Sequence, residues 1–188
     1  MTTLANARWT RGDVRRAAFS GFPYLGERRR VPLAHLSDFL AIGFARLHEA
    51  LEEDAVAGEP TAIYHGGPDS EGIVDVTAAL PATTLADARA AAGGRGDLLA
   101  DVLPACTAVT TKHYGDYATL ARSYDRLESW AHSHGLQSSE TTWEEYLIGP
   151  ADNPDSLTWC TRISTATTPG PAVAGEAADR EGGGRTSG

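Results

Sequence analysis

Glu144 and Glu145, adjacent in the run Thr142-Trp143-Glu144-Glu145-Tyr146-Leu147, are the residues best placed to do chemistry in this chain. A strand sends neighbouring side chains to opposite faces, so this run puts one acid on each face. An acid on an aromatic-lined face serves two chemistries. As a carboxylate it balances a lipophilic cation whose rings stack on tyrosine or tryptophan, at about 0.5–2 kcal/mol per cation–π contact. As a general base it activates water while a tyrosine hydroxyl steadies the developing oxyanion. The same pair equally suits an edge strand with both acids in solvent, and the residues alone leave that open.

The aromatic side chains gather near this run. Tyr64, Trp143, Tyr146, Trp159 and Tyr114 fall in or beside the expected hairpins and the turn before a helix. Phe44, Tyr124 and Trp130 lie on helical segments and read as core. Tyr64 and Tyr146 also suit a structural role, as matched residues in matched turns. His113 stands before Gly115 at a helix entrance, where structural hydrogen bonding and base catalysis are both open. Cys106 and Cys160 read as buried, inert thiols. The chain holds no His/Cys/carboxylate set at metal-ligand spacing, no phosphate-cradling glycine loop and no nucleophile elbow. No metal and no cofactor are expected. Arg95-Gly96-Asp97 in the Gly-rich stretch reads as a chance tripeptide.

An internal repeat supplies the elements that position these residues. Tyr64-His65-Gly66-Gly67-Pro68 and Tyr146-Leu147-Ile148-Gly149-Pro150 stand 82 residues apart, each inside a strand–turn–strand pattern. Ala62 occupies in the first copy the place of Glu144 in the second, so only one copy contributes the acid. Upstream of each hairpin lies an apolar stripe at helical spacing: Leu36, Leu40, Phe44, Leu47 and Leu51, then Tyr117, Leu120, Tyr124, Leu127 and Ala131. A β-like stretch precedes each stripe, residues 14–22 and then 106–113. The unit is strand–helix–strand–strand, used twice. The expected fold is therefore α+β: two pseudo-symmetric repeats forming a curved antiparallel sheet, with two main helices on one face. The opposite face, at the seam, is the expected cleft. Residues 23–32, with Arg28-Arg29-Arg30, read as a solvated excursion, and residues 90–97 as a loop or linker.

The 188 residues suffice for one domain, with repeat one at about 12–82 and repeat two at about 98–165 within residues 1–166. Residues 167–188 read as a disordered tail, because that Gly-rich stretch cannot repay its ordering entropy by burial. No run reaches the roughly 18 apolar residues of a membrane span, and the opening residues lack a secretory pattern. The cytoplasm is the expected location, with no membrane association. A formal charge of −9 argues against direct nucleic-acid binding.

His113-Tyr114-Gly115-Asp116-Tyr117-x-x-Leu120, Glu144-x-Tyr146-Leu147, Gly149-Pro150 and Thr161-Arg162-Ile163, in this order on a duplicated frame, resemble the GyrI-like effector-binding domain. The resemblance covers roughly residues 17–164. It implies a stand-alone member that binds bulky, cationic, aromatic compounds in the cleft between the repeats, with a buried Glu as counter-charge. Carried onto this chain, the Glu-x-Tyr motif falls on Glu144 and Tyr146, leaving Glu145 at the rim. The implied ligand-binding set is Glu144, Glu145, Tyr64, Tyr146, Trp143, Trp159, His113, Tyr114 and Phe22. Some stand-alone relatives act as cofactor-free hydrolases that open cyclopropanoid genotoxins. In that alternative Glu144, Tyr146 and Tyr114 are the catalytic residues. The third implication, inhibition of DNA gyrase, would need a clustered acidic patch, and the acids here are spread through the chain.

Overall fold

Each helical stripe has to bury against a sheet face, and the strands beside it in sequence provide one. A computed structural model describes residues 9–170. The strands are β1 (Val14–Phe19), β2 (Phe22–Pro32), β3 (Thr61–His65), β4 (Ile73–Pro81), β5 (Leu99–Leu103), β6 (Cys106–Tyr114), β7 (Leu136–Ile148) and β8 (Cys160–Pro169). The helices are α1 (Leu36–Ala50), α2 (Leu85–Ala92) and α3 (Ala121–Ser133). All strands join one antiparallel sheet in the order β1-β6-β8-β7-β3-β4-β2-β5. The expected α+β class and the two strand–helix–strand–strand repeats are both present.

The seam lies between β3 and β7, where Ala62 faces Glu144 and Ile63 faces Trp143. Leu40, Leu47 and Leu51 bury against Leu25, Val74, Val76 and Leu80 on the helix-bearing face. Leu127 and Ala131 of α3 bury against Val109 and Ile163 on the same face. Gly135 ends the second helical segment at φ 66°, the left-handed conformation that a glycine cap supplies.

The outer strands are exchanged between repeats. β1, which leads into β2, pairs with β6, while β5, which leads into β6, pairs with β2. One register runs through both ladders, from Val14 opposite Thr111 to Gly26 opposite Leu99. The two ends of the sheet are thus tied together and the sheet curls, with β5 covering β2 over Phe22–Gly26 and β1 covering β6 over Cys106–Thr111. Gly21 makes the link between β1 and β2, at φ 73°, and a Cβ there would lie 2.5 Å from the Leu103 carbonyl oxygen. Gly21→Ala should therefore cost about 1–2 kcal/mol from the left-handed backbone alone, read as a lower urea midpoint. An unchanged midpoint would show that this link is not constrained.

Three segments differ from the sequence expectation. Residues 23–32 are not an excursion but most of β2, paired with β4 over Tyr24–Pro32 and with β5 over Phe22–Gly26. The three consecutive arginines mask its alternation, yet Tyr24, Leu25, Glu27 and Val31 are buried. Arg28 pairs with Asp75 on β4 (2.8 Å) and Arg30 with Asp69 (2.5 Å), while Arg29 and Arg46 hold the buried Glu27 carboxylate. Residues 90–97 are partly helical, because Thr84 and Asp87 form a capping box that starts α2 just upstream. Thr167, Thr168 and Pro169 continue β8 beside Leu136–Ser138. The expected tail from 171 to 188 lies outside the described residues. No helix among the described residues is long and apolar enough to cross a membrane.

Candidate functional site

Strand β7 sorts its residues by face. Trp143, the bulkiest apolar side chain of the run, turns into the interior of the curled sheet, where Phe19 and Ile63 pack with it. Alternation then sends Glu144 and Tyr146 to the helix-bearing face and Glu145 to the face of Trp143. The expectation of a cleft carrying Glu144 on the face away from the helices is therefore corrected. That face holds the Trp143 cluster, and Glu144 sits beneath the helices.

Glu144 is 3% exposed. Three tyrosines from three elements donate hydrogen bonds to its carboxylate. Tyr124 on α3 donates to Oε1 at 2.5 Å, and Tyr146 on β7 donates to Oε2 at 2.7 Å. Tyr64 on β3 reaches Oε2 at 3.3 Å. The two shorter distances are typical of a hydroxyl on an ionised oxygen. Around this group the Phe44 ring of α1 lies 5.5 Å from Tyr146, and Tyr117 lies 5.8 Å from Tyr146 and 4.7 Å from Trp159. The indole N–H of Trp159 donates to the Asn153 carbonyl at 2.7 Å, which fixes that wall. No arginine or lysine pairs with Glu144 among the described residues.

Burial, and then the Glu144 charge, push the hydroxyls of Tyr64, Tyr124 and Tyr146 well above their ordinary range. Tyr117 is pushed up to about 12 by the same causes. All four remain protonated near neutrality, and Tyr64, Tyr124 and Tyr146 serve as donors. The sign follows from linkage: a tyrosine with a raised folded pKa stabilises fully below its unfolded value of about 10 and loses that contribution as pH climbs toward the folded one. Thermal stability should therefore fall as pH rises above about 10. Tyr124→Phe should flatten the fall. A pH-independent melting temperature between 9 and 12, expressed as a scan at about those limits, would contradict the buried tyrosine set.

The C-terminal domain of EcmrR superposes with a TM-score of 0.71 at 21% identity, over 84% of this chain and 98% of that one. Against the EcmrR chain in a complex with DNA, the match spans 57% of that chain. SAV2435 bound to tetraphenylphosphonium gives a TM-score of 0.57 at 12% identity, over 83% of this chain and 94% of that one. The chain has the GyrI-like fold. A hydrolase encoded by lin2189 from Listeria innocua shares it, with a TM-score of 0.62 at 9% identity over 84% and 93% of the two chains. No family model and no curated protein matches the sequence.

Within this GyrI-like frame the structure brings together Glu144, Tyr64, Tyr146 and Trp159 from the sequence-derived set. Five others stand elsewhere. Glu145, Trp143 and Phe22 belong to the opposite face, Glu145 paired with Arg162 at 3.3 Å. Tyr114 ends β6 beneath the Arg11 guanidinium and makes no contact with Glu144. His113 is buried, with its ring nitrogens on Ser123 Oγ (3.0 Å) and the Asp116 carbonyl (3.1 Å), and so fastens β6 to the start of α3. Tyr124, Tyr117 and Phe44 are the residues that sequence reasoning missed. Cys160 is buried and Cys106 half-buried, and burial raises both thiols. No His/Cys/Asp/Glu cluster able to hold a metal occurs among the described residues.

Proposed function

We propose that this protein binds bulky lipophilic cations, with Glu144 as counter-charge and the rings of Tyr146, Tyr117, Trp159 and Phe44 as walls. The observation that carries the reading is a single carboxylate, 3% exposed, held by three neutral hydroxyls and by no cationic side chain among the described residues. A buried charge without an opposite one is costly. A ligand that brings the missing positive charge recovers part of that cost. Support comes also from SAV2435, of the same fold, whose bound tetraphenylphosphonium is such a cation. Because the carboxylate is covered, entry requires the rings over it to swing aside.

The hydrolase alternative asks Glu144 to take a proton from water. Both of its oxygens already accept hydrogen bonds from tyrosines, which favours an electrostatic anchor over a base. Equilibrium dialysis with tetraphenylphosphonium tests the proposal, with the compound recovered unchanged as the expected result. Absence of uptake, together with a water-added product from a cyclopropane-bearing alkylator, would transfer the assignment to hydrolysis.

A further inference from the structure

The Glu144 carboxylate is short of free lone pairs. A carboxylate has about four acceptor positions, two on each oxygen. On Oε2 both are in use, by the hydroxyls of Tyr146 and Tyr64. On Oε1 one is in use, by the hydroxyl of Tyr124. Three donors from three elements thus leave one position open, although no cationic side chain neutralises the group among the described residues. A solvated carboxylate offers negative charge and acceptor capacity together. Here the charge is kept and most of the acceptor capacity is spent.

That separation discriminates between cations. An ammonium with N–H donors needs an acceptor for each once it leaves water, and a buried N–H without one costs at least about fivefold in affinity. A primary ammonium brings three such donors to the one open position. Neutral oxygens take them less well than an ionised one. The neutral oxygens at hand are the phenols themselves and the Thr161 hydroxyl, buried without a partner opposite Tyr146. The N–H of Trp159, in the wall, is a donor and is already bound to the Asn153 carbonyl. A quaternary ammonium or phosphonium asks for no lone pair. Its charge acts on Glu144 through space, and its substituents meet ring faces.

We infer that the three tyrosines select the kind of cation: the site takes onium ions without N–H donors in preference to primary ammonium ions of the same ring system. This rests on the reading of Glu144 as counter-charge, and it adds that Tyr124, Tyr146 and Tyr64 set specificity by occupying lone pairs. Tyr124 carries the most weight, as the one donor to Oε1. Ala62, facing Glu144 across the seam, has no polar side-chain atom with which to alter the count. Phe44 holds the place of Tyr124 in the first repeat, so a ring without a hydroxyl suits the same kind of helix–sheet packing.

Fluorescence titration of the full chain with 1-pyrenylmethylammonium and with its N,N,N-trimethyl analogue tests the inference, near neutrality where each carries one positive charge. The expected result is at least about tenfold tighter binding of the trimethyl compound. The added methyl groups contribute apolar surface to that ratio, so the deciding measurement is the ratio in Tyr124→Phe, which opens Oε1. It should narrow by at least about fivefold, through stronger binding of the primary ammonium. Tyr64→Phe, which opens a position on Oε2, should narrow it in the same direction and serves if Tyr124→Phe fails to fold by far-UV circular dichroism. An unchanged ratio in the folded variant, or equal or tighter binding of the primary ammonium by the unaltered protein, would overturn the inference. Tetraphenylphosphonium bound in that same experiment would leave the Glu144 counter-charge standing. Failure of the unaltered protein to bind any of the three cations would overturn the counter-charge and the inference with it.

Discussion

Trp143→Ala is expected to lower the free energy of unfolding by about 3–5 kcal/mol, the range for losing a buried tryptophan or phenylalanine. The side chain is 1% exposed and stands directly across the seam from Ile63 of the other repeat. It also packs on Phe19, which belongs to the exchanged strand β1. One residue thus joins β3, β7 and β1, elements that arrive from both halves of the chain. Its removal would enlarge the cavity that it lines, and the surrounding β-sheet backbone has little freedom to collapse into it. Urea denaturation followed by circular dichroism reads the change as a shift in midpoint at constant slope. Leu157→Ala, at a side chain 80% exposed, should stay within about 0.5 kcal/mol and provides the reference. A loss below about 1 kcal/mol for Trp143→Ala would mean that the seam is held mainly by the ladder of backbone hydrogen bonds.

The two long helices, α1 and α3, and the hairpins were legible in the sequence because their signals are periodic. Leu36 to Leu51 repeats at helical spacing and buries along that stripe, and the matched Tyr-x-x-Gly-Pro turns announce the duplication. Strand β2 was not legible, because Arg28-Arg29-Arg30 replaces the usual alternation by like charges whose partners lie far along the chain, Asp75 on β4 and Asp69 in the turn before it. Sequence alternation showed that Glu144 and Glu145 must part, but not which face each takes. That choice belongs to Trp143, and competition for the interior of a curled sheet is a tertiary matter. Tyr124 had a usable signal. It matches Phe44 in the first repeat at a shift of 80, and a buried hydroxyl where the partner copy needs none has to find an acceptor. Tyr117 had none beyond its place on the same stripe. Tyr114 and His113 show the opposite failure: nearness to a motif in sequence did not bring them to the carboxylate, since β6 is separated from β7 by β8.

Glu144→Gln should weaken tetraphenylphosphonium binding at least about thirtyfold, the effect of removing one partner from a desolvated charge pair at 2 kcal/mol or more. The substitution preserves shape, so the loss reports charge. Ala62 faces Glu144 directly across the seam, so the first repeat supplies no second acid to take over. The amide can accept from the tyrosines through its oxygen alone, and the hydroxyl that faces the NH2 group must turn away. Part of any change could therefore come from rearranged tyrosines, and a neutral ligand of similar shape separates the two contributions. Triphenylphosphine oxide should bind the unaltered protein more weakly than the cation does, and Glu144→Gln should narrow or erase that preference. Glu140→Gln, at an exposed acid of the same strand, should change cation affinity less than about threefold, since surface charges are screened. Equal losses for the cation and the neutral oxide would assign the effect to packing. Retained cation affinity in Glu144→Gln would remove the carboxylate from the binding site altogether, leaving the tyrosine cage as a structural device that seats a buried charge under the helices.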